Sequence, residues 1–455
     1  MEFKLTHNEG RAEATSPLSS RGAGVEDHFV TVFLAILATA LVFGAMLRMQ
    51  PVSGANDGSR WNTVWSLVNG QGYVIDEAPY STIDKVRRDG HFYSSKPPLM
   101  PTLLAGPAWL LRAAGVPAPQ HDYVVNRFLL TLVNIIPFGL FVFLYGRLLD
   151  HFPGGLSARL FCLGAAGFGT YLTAYSVTLN NHTQGALAAF FALYGLIRIK
   201  YDGRKEWYWF ALCGLFTSWA FVSEMVALPF ALIVLGYLLR GNPHPSQAGW
   251  HDARRTLLYF VPVAAVMAAA YFATLYLSTG GFVPYYLLFD TELYQYEGSY
   301  WSNPRGIDAL AEPKWFYAFN VLIGHHGVFS LTPLFLLGFY GMVKDRAFRP
   351  IHRTGLFLSA ALFVFYVLRT NNYGGVCQGA RWLFWLIPFW LLGLAAAVRD
   401  HFHSPRFRAF ALLALLVSVL SVGHALSGNR NEGRPGPWSA SWLHLIMRTA
   451  GWVGY

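Results

Sequence analysis

Charge is scarce in these 455 residues. Only 13% are Asp, Glu, Lys or Arg, about half the share of an ordinary soluble domain. Too little charge to cover a water-facing surface excludes a simple soluble globule. Cysteine is scarcer still: there are three, with no CxxC pair, so neither a disulfide framework nor a cysteine zinc site is indicated. Cys162 and Cys213 lie in apolar runs and Cys377 in a loop. No internal repeat is found. Acidic residues number 24 against 34 Lys and Arg, a formal net charge of +10. No basic run is interleaved with aromatics, so no nucleic-acid partner is read. In a membrane protein, Lys and Arg gather in cytoplasmic loops.

What is present is apolar: 54% of the residues are hydrophobic. The expected fold class is an all-α multi-pass membrane protein. Eleven candidate spans fall near 28–47, 125–146, 160–179, 184–198, 207–222, 225–240, 256–277, 320–343, 354–369, 381–398 and 409–427. Each is long enough, or nearly so, to cross a bilayer core. One apolar stretch is left over, KPPLMPTLLAGPAWLLR, from Lys96 to Arg112, with four prolines. It is short for a span and badly broken for a helix.

Charge decides its status. The loops 147–159, 198–205, 240–255, 344–353 and 399–408 hold sixteen Lys and Arg, and the opposing loops hold five. The first set is therefore cytoplasmic. The tail 1–27, with Lys4, Arg11 and Arg21, belongs on the same side. Both conditions hold only if residues 96–112 do not cross. Three outer loops follow, 48–127, 278–316 and 369–381, with 28–427 as the membrane domain and 428–455 as an outer tail. Trp61, Val64, Trp65 and Val68 recur at helical spacing, which predicts an interfacial helix with its aromatics among headgroups. WSASWLHLIM, from Trp438 to Met447, reads as interfacial too.

Six polar positions from six segments meet at the outer face. Asp57 follows the first span, where it caps a helix or acts as a general base. Lys96 stands at headgroup depth, snorkelling or binding one phosphate. The Asn180-Asn181-His182 turn and Glu224 lie between spans, and a carboxylate at that depth tends to be functional. His325 and His326 are adjacent, so they do not face one metal; hydrogen bonding to a phosphate or sugar is the better reading. Arg381 opens a span, anchoring it or offering a planar fork to a phosphate. One site is simpler than six independent decorations.

These residues resemble those of the GT-C fold glycosyltransferases that use polyprenyl-phosphate sugars. The group includes the protein O-mannosyltransferase and aminoarabinose transferase relatives, of the glycosyltransferase 39 kind. NDGSRW, from Asn56 to Trp61, stands where that family begins its first outer loop with an acidic motif. DGHFYSSKPP, from Asp89 to Pro98, resembles DGHYYSDKPP of bacterial members, and GHHGVFSLTP and GGVCQGARWL are similar to their later motifs. The resemblance implies about eleven transmembrane helices, interfacial helices in the first loop and a lipid-linked sugar as donor substrate. It also implies that Asp57 is the catalytic carboxylate and that Lys96 binds the lipid phosphate.

The expected mechanism is inverting transfer on the non-cytoplasmic side of a cell membrane, the bacterial inner membrane by the resemblance. Asp57 deprotonates an acceptor hydroxyl. Lys96, Arg381, Arg60 and His325 bind the leaving phosphate, and His91, Tyr93, Asn181, His182, Glu224 and His326 contact substrate. No cofactor is called for, and a divalent metal is open but not indicated. Membrane lipid and the lipid-linked donor are the expected partners, with a protein, lipid or glycan acceptor. Two other readings stand beside this one: a transporter or flippase, and a polysaccharide ligase or polymerase using a lipid-diphosphate donor.

Overall fold

The computed structural model describes residues 24–50, 52–116, 123–240, 249–289, 291–428 and 436–454. Most of the expected cytoplasmic tail, residues 1–23, lies outside them. The chain is a bundle of helices. Six are long and apolar enough to cross a membrane: Val25–Arg48 (α1), Tyr123–His151, His251–Thr279, Arg349–Arg369, Arg381–His401 and Pro405–Leu426. Met225–Leu239 and Leu334–Lys344 are shorter apolar helices. Six of the eleven expected spans are thus helices both long and apolar enough to cross, among the described residues. Two of the expected spans are interrupted. The 160–179 run breaks at Gly169 and Thr170, between Gly155–Phe168 and Tyr171–Tyr175. The 320–343 run is three pieces, Lys314–Leu322, Val328–Leu331 and Leu334–Lys344, parted by the Gly324–Gly327 turn and Pro333.

Burial sorts the long helices. Arg381–His401 is 94% buried along its apolar window and runs through the middle of the protein, whereas His251–Thr279 is 17% buried and presents most of its surface outward. On α1 the buried residues Thr31, Ala35, Ala38 and Val42 form one stripe at helical spacing. Glycines receive that stripe: a Cβ on Gly139 or Gly146 would strike Thr39 or Thr31. Leu334–Lys344 crosses Arg381–His401 in the same manner. A Cβ on Gly338 would lie 2.5 Å from the Trp390 carbonyl, and one on Gly341 would lie 1.8 Å from that of Gly393. Without a hydrophobic driving force in lipid, such close backbone approach supplies the packing energy.

The first loop departs from expectation in three ways. Helix α2, Ala55–Val68, does not lay its aromatics among headgroups: Trp61, Val64, Trp65 and Val68 are all buried in protein. Residues Leu99–Ala113 form one continuous helix, α3, despite their prolines. Pro97 and Pro98 precede it, and Pro101 sits in the first turn, where the N–H has no intrahelical partner anyway. Only Pro107 removes an interior bond. At 15 residues α3 is about 22 Å long, short of the roughly 30 Å hydrocarbon core.

Third, the all-α expectation meets one antiparallel hairpin, β1 (Lys85–Arg88) and β2 (His91–Ser94), with Arg88 opposite His91. Asp89 and Gly90 both take positive φ, 53° and 86°. That is the two-residue turn that Asp-Gly favours. The hairpin carries its two flanks, Asp84 and Lys96, back to one place.

Replacing Gly341 by valine should therefore drive a side chain into the Gly393 backbone. Overpacking of this kind typically costs about 1–3 kcal/mol or more. The thermal midpoint of the detergent-solubilised protein should fall by several degrees. Gly236→Val is the control, since nothing lies within 4 Å of its Cβ position.

Candidate functional site

The site is assembled by polar side chains that lock irregular backbone in place. Asn134, in a π-helical turn of Tyr123–His151, donates to the carbonyls of Ser176 and Thr178 at 3.0 and 2.7 Å. Asn180 caps the helix Asn181–Lys200 by accepting from Thr183 N–H at 2.8 Å. These bonds hold the turn that presents Asn181 and His182. Along α2, Asn62 brackets Tyr80 through its carbonyl and N–H, and Ala55 O accepts from the Thr82 hydroxyl. Ser59 donates to Asp84 O at 2.6 Å and shares a 2.6 Å bond with Ser94. The entry to the hairpin is thus zipped to α2.

Asp57 sits in the first turn of α2 with Gly54 at the N-cap. One oxygen accepts from Ser53 N–H at 3.1 Å and the other from Leu179 N–H at 3.1 Å. The carboxylate therefore reaches back before its own helix and across to the turn before Asn181–Lys200. It is 1% exposed. Burial pushes its pKa up to about 6, against the two N–H bonds and the nearby Arg127 and Arg60 charges. Asp57 is therefore not the helix cap: Gly54 holds that position, and the carboxylate serves N–H groups that lie outside α2.

Arg60 lies one turn on, 1% exposed, and donates to Asn56 O at 2.8 Å and to Asn181 Oδ1 at 2.5 Å. Burial lowers its pKa to about 10, with Asp84 and Asp57 holding its charge and Arg381 opposing it. Lys96 pairs with Asp84 at 3.0 Å. Burial lowers the Lys96 pKa, Asp84 raises it, and Arg60 and Arg381 are near enough to lower it further. Arg381 donates to His182 Nε2 at 3.0 Å and to Gly374 O at 2.6 Å, and lies over the Trp438 ring at 4.9 Å. Gly374, at φ 86°, makes room for this guanidinium, because a Cβ there would lie 2.7 Å from Arg381 Nε. Glu224 Oε1 accepts from Asn181 at 2.8 Å and lies 2.5 Å from His182 Nδ1. Burial pushes its pKa up to about 8, against the Arg381 and Arg60 charges.

Two clefts open at this cluster. One is lined by Arg60 and Asn181 at its polar end and by Pro97, Leu99, Met100, Trp219 and Val222 along its walls. The other is lined by Arg381 and His326 at its polar end, with Tyr317, Phe363, Tyr366 and Trp382 beside them. Each is an apolar slot ending at an arginine. Asp57 lines neither.

Arg60, Lys96, Asn181, His182, Glu224 and Arg381 therefore come together. His326 joins them through the second cleft, but His325 does not. It is buried behind His326, with the two Nδ1 atoms 2.5 Å apart and its ring against Tyr373 and His444. Adjacent side chains cannot both face one cleft, and His326 takes it. His91 is on the exposed side of the hairpin, 2.7 Å from Asp76. Tyr93 packs under Arg88 and against Tyr285. The hairpin gives the cluster its flanks and not these two rings.

Three further residues reach the site. Asp84 is the partner of Lys96. Asp308, in the 278–316 loop, has its pKa raised by burial and feels Asp84, Arg381 and Lys96. Trp438 covers Arg381 and packs on Gly54. The 438–447 stretch is thus partly a wall of the site: Pro437 O accepts from Tyr175 OH and Gln378 N–H, and Ser441 donates to His325 O. The signal that could have found Asp84 is the Asp89-Gly90 turn, which folds Asp84 back beside Ser95 and so next to Lys96. Asp308 carries no local signal. Among the described residues no group of three His, Cys, Asp or Glu is arranged to hold a metal ion.

Asp57→Asn leaves one of the two buried N–H groups facing an amide NH2. The expected cost is about 1–3 kcal/mol, read as a lowered thermal midpoint in detergent. An unchanged midpoint would show that one of the two bonds contributes nothing.

No protein-family model matches the chain, and no curated protein matches it. Among solved structures the chain is similar to ArnT from Cupriavidus metallidurans in the apo state, at 15% identity and a TM-score of 0.49, over 87% of this chain and 64% of that one. The same protein bound to undecaprenyl phosphate gives 16% and 0.46, with the same coverage. The Archaeoglobus fulgidus oligosaccharyltransferase tethered with an acceptor peptide gives 15% and 0.46, over 91% of this chain and 55% of that one. The chain thus spans less than two thirds of the length of each. Both neighbours are glycosyltransferases of the GT-C fold.

Proposed function

We propose that this chain is a membrane glycosyltransferase of the GT-C type that moves a sugar from a polyprenyl-phosphate donor to an acceptor hydroxyl on the non-cytoplasmic side. The observation that carries the reading is the meeting of Arg60, Lys96 and Arg381, from three separate segments, where two apolar clefts end. A lipid-linked sugar phosphate has that shape: an apolar tail, an anion, then a polar sugar. Cations already in place stabilise the charge that develops on a phosphate leaving group. Arg60 acts at one cleft and Arg381 at the other, while Lys96 lines neither but lies near both guanidinium groups, held in position by Asp84.

Asp57 is the proposed base. A carboxylate has about four acceptor positions; the Ser53 N–H, the Ser53 hydroxyl and the Leu179 N–H use three. The remaining one accepts the proton from the acceptor hydroxyl as its oxygen bonds to the anomeric carbon and the bond to phosphate breaks. A positioned base of this kind is worth on the order of a hundred- to ten-thousand-fold in rate. Asn181, His182 and His326 are the proposed sugar and phosphate contacts.

The test is transfer of labelled sugar from a synthetic polyprenyl-phosphate sugar, using the purified full-length protein. The active form of Asp57 is ionised, and burial raises its pKa to about 6. Transfer should therefore rise with pH through about 6 and fall roughly tenfold per unit below it. Asp57→Asn should remove both the activity and that limb, judged against its own thermal midpoint. Wild-type turnover in the folded Asn variant would dismiss Asp57 as the base.

Lys96→Ala and Arg381→Ala should each raise the KM for donor by about tenfold or more, the scale of one lost charge-assisted bond. An unaltered donor KM in both would remove these cations from the donor site. Uptake of a solute into proteoliposomes without transfer would favour the transporter reading instead.

A further inference from the structure

Five side chains of the site form one hydrogen-bonded chain, and all its donors run inward to a single atom, Glu224 Oε1. From one side, Arg60 Nη2 donates to Asn181 Oδ1 at 2.5 Å, and Asn181 Nδ2 donates to Glu224 Oε1 at 2.8 Å. From the other, Arg381 Nη1 donates to His182 Nε2 at 3.0 Å. Arginine has no acceptor, so the ring proton of a neutral His182 must sit on Nδ1. That atom is 2.5 Å from the same carboxylate oxygen and donates to it. The seat is shaped for this side chain: a Cβ at Gly185 would lie 2.8 Å from Glu224 Cγ.

The order of the groups matters. A carboxylate bonded directly to either guanidinium would occupy its fork. Here a neutral amide and a neutral imidazole stand between, so each arginine spends one N–H on the anchor and keeps the rest of its fork for other partners. Arg60 lines one cleft and Arg381 the other. Glu224, which lines neither, stands behind both.

We propose that Glu224 is a positioning residue. Acting through Asn181 and His182, it sets the separation of Arg60 and Arg381, so that the two guanidinium groups work as one clamp for the phosphate of a polyprenyl monophosphate. The proposal rests on the lipid-phosphate reading of the site given above. The role needs a carbonyl oxygen at the Oε1 position and no negative charge. Glutamine therefore supplies it and alanine does not.

The experiment is binding of a long-chain polyprenyl monophosphate to the purified full-length protein in nanodiscs, with the parent polyprenol as the phosphate-free control. Glu224→Ala should weaken binding by about tenfold, equal to 1.4 kcal/mol, and Glu224→Gln should restore most of it. In the wild-type background the losses from Arg60→Ala and Arg381→Ala should be non-additive, the signature of a coupled pair. In Glu224→Ala they should become additive. A general loosening of the fold would reproduce neither the glutamine rescue nor the change in coupling.

Glu224→Ala binding as tightly as wild type would overturn the proposal, as would Glu224→Gln binding as poorly as the alanine variant. If Glu224→Ala does not fold, Asn181→Ala and His182→Ala decide. Each cuts one arm, and each must abolish the coupling between the arginines for the proposal to stand. Failure of the wild-type protein to bind the probe at all would overturn the lipid-phosphate reading and this inference with it. Wild-type binding without any effect at Glu224 would overturn this inference alone.

Discussion

Charge held out of water must be compensated atom by atom, and that constraint organises this protein. Arg60, Asp57 and Glu224 are nearly inaccessible at the end of a helix bundle whose bulk is apolar. Leaving any of them unpaired would cost several kcal/mol. The solution is a network in which backbone N–H groups serve the carboxylate of Asp57 and amide and imidazole groups serve that of Glu224. The arginines fan out from the second of these centres. The site is therefore also a keystone of the fold, since it ties α2, the start of Asn181–Lys200, the loop at Glu224 and the start of Arg381–His401 to one another.

The opposite end of the helices solves the same problem by ordinary means. There Asp345 accepts from Arg399 at 2.8 Å and lies 3.1 Å from His352, while Asp252 holds Lys200 and Lys205. Opposite charges meet directly and neutralise each other. At the candidate site Lys96 meets Asp84 directly, but neutral groups stand between Glu224 and the two arginines that line the clefts. Under the proposed function, that spacing is what leaves the arginines able to meet a phosphate.

Much of this was legible beforehand. Long apolar runs predict α1 and the Arg349–Arg369 and Pro405–Leu426 helices well, because length and hydropathy are local properties. Loop charges lead to the expectation that Lys96, Glu224, His182 and Arg381 share one face, and the four do meet, but that they share one pocket is set by the fold. What was misread involves partners distant in sequence. The Trp61 and Trp65 stripe is periodic whether it meets lipid or protein, and only the fold around α2 says which. The prolines of α3 look disruptive until the helix start is known to fall at Leu99. The His325 and His326 pair cannot be resolved by spacing, since the choice depends on Tyr373 and His444. Asp308 reaches the cluster through a loop with no periodic pattern.

Trp438 adds a temporal dimension. It follows all six spanning helices among the described residues, yet its ring is the cover over Arg381 and the surface against which Gly54 rests. A nascent chain that has inserted all of those helices still lacks this cover. Before Trp438 packs, Arg381 has only His182 and the Gly374 carbonyl, and the start of α2 lacks the ring against which Gly54 rests. The pocket is therefore complete only when the part of the chain translated after those helices has folded back over it.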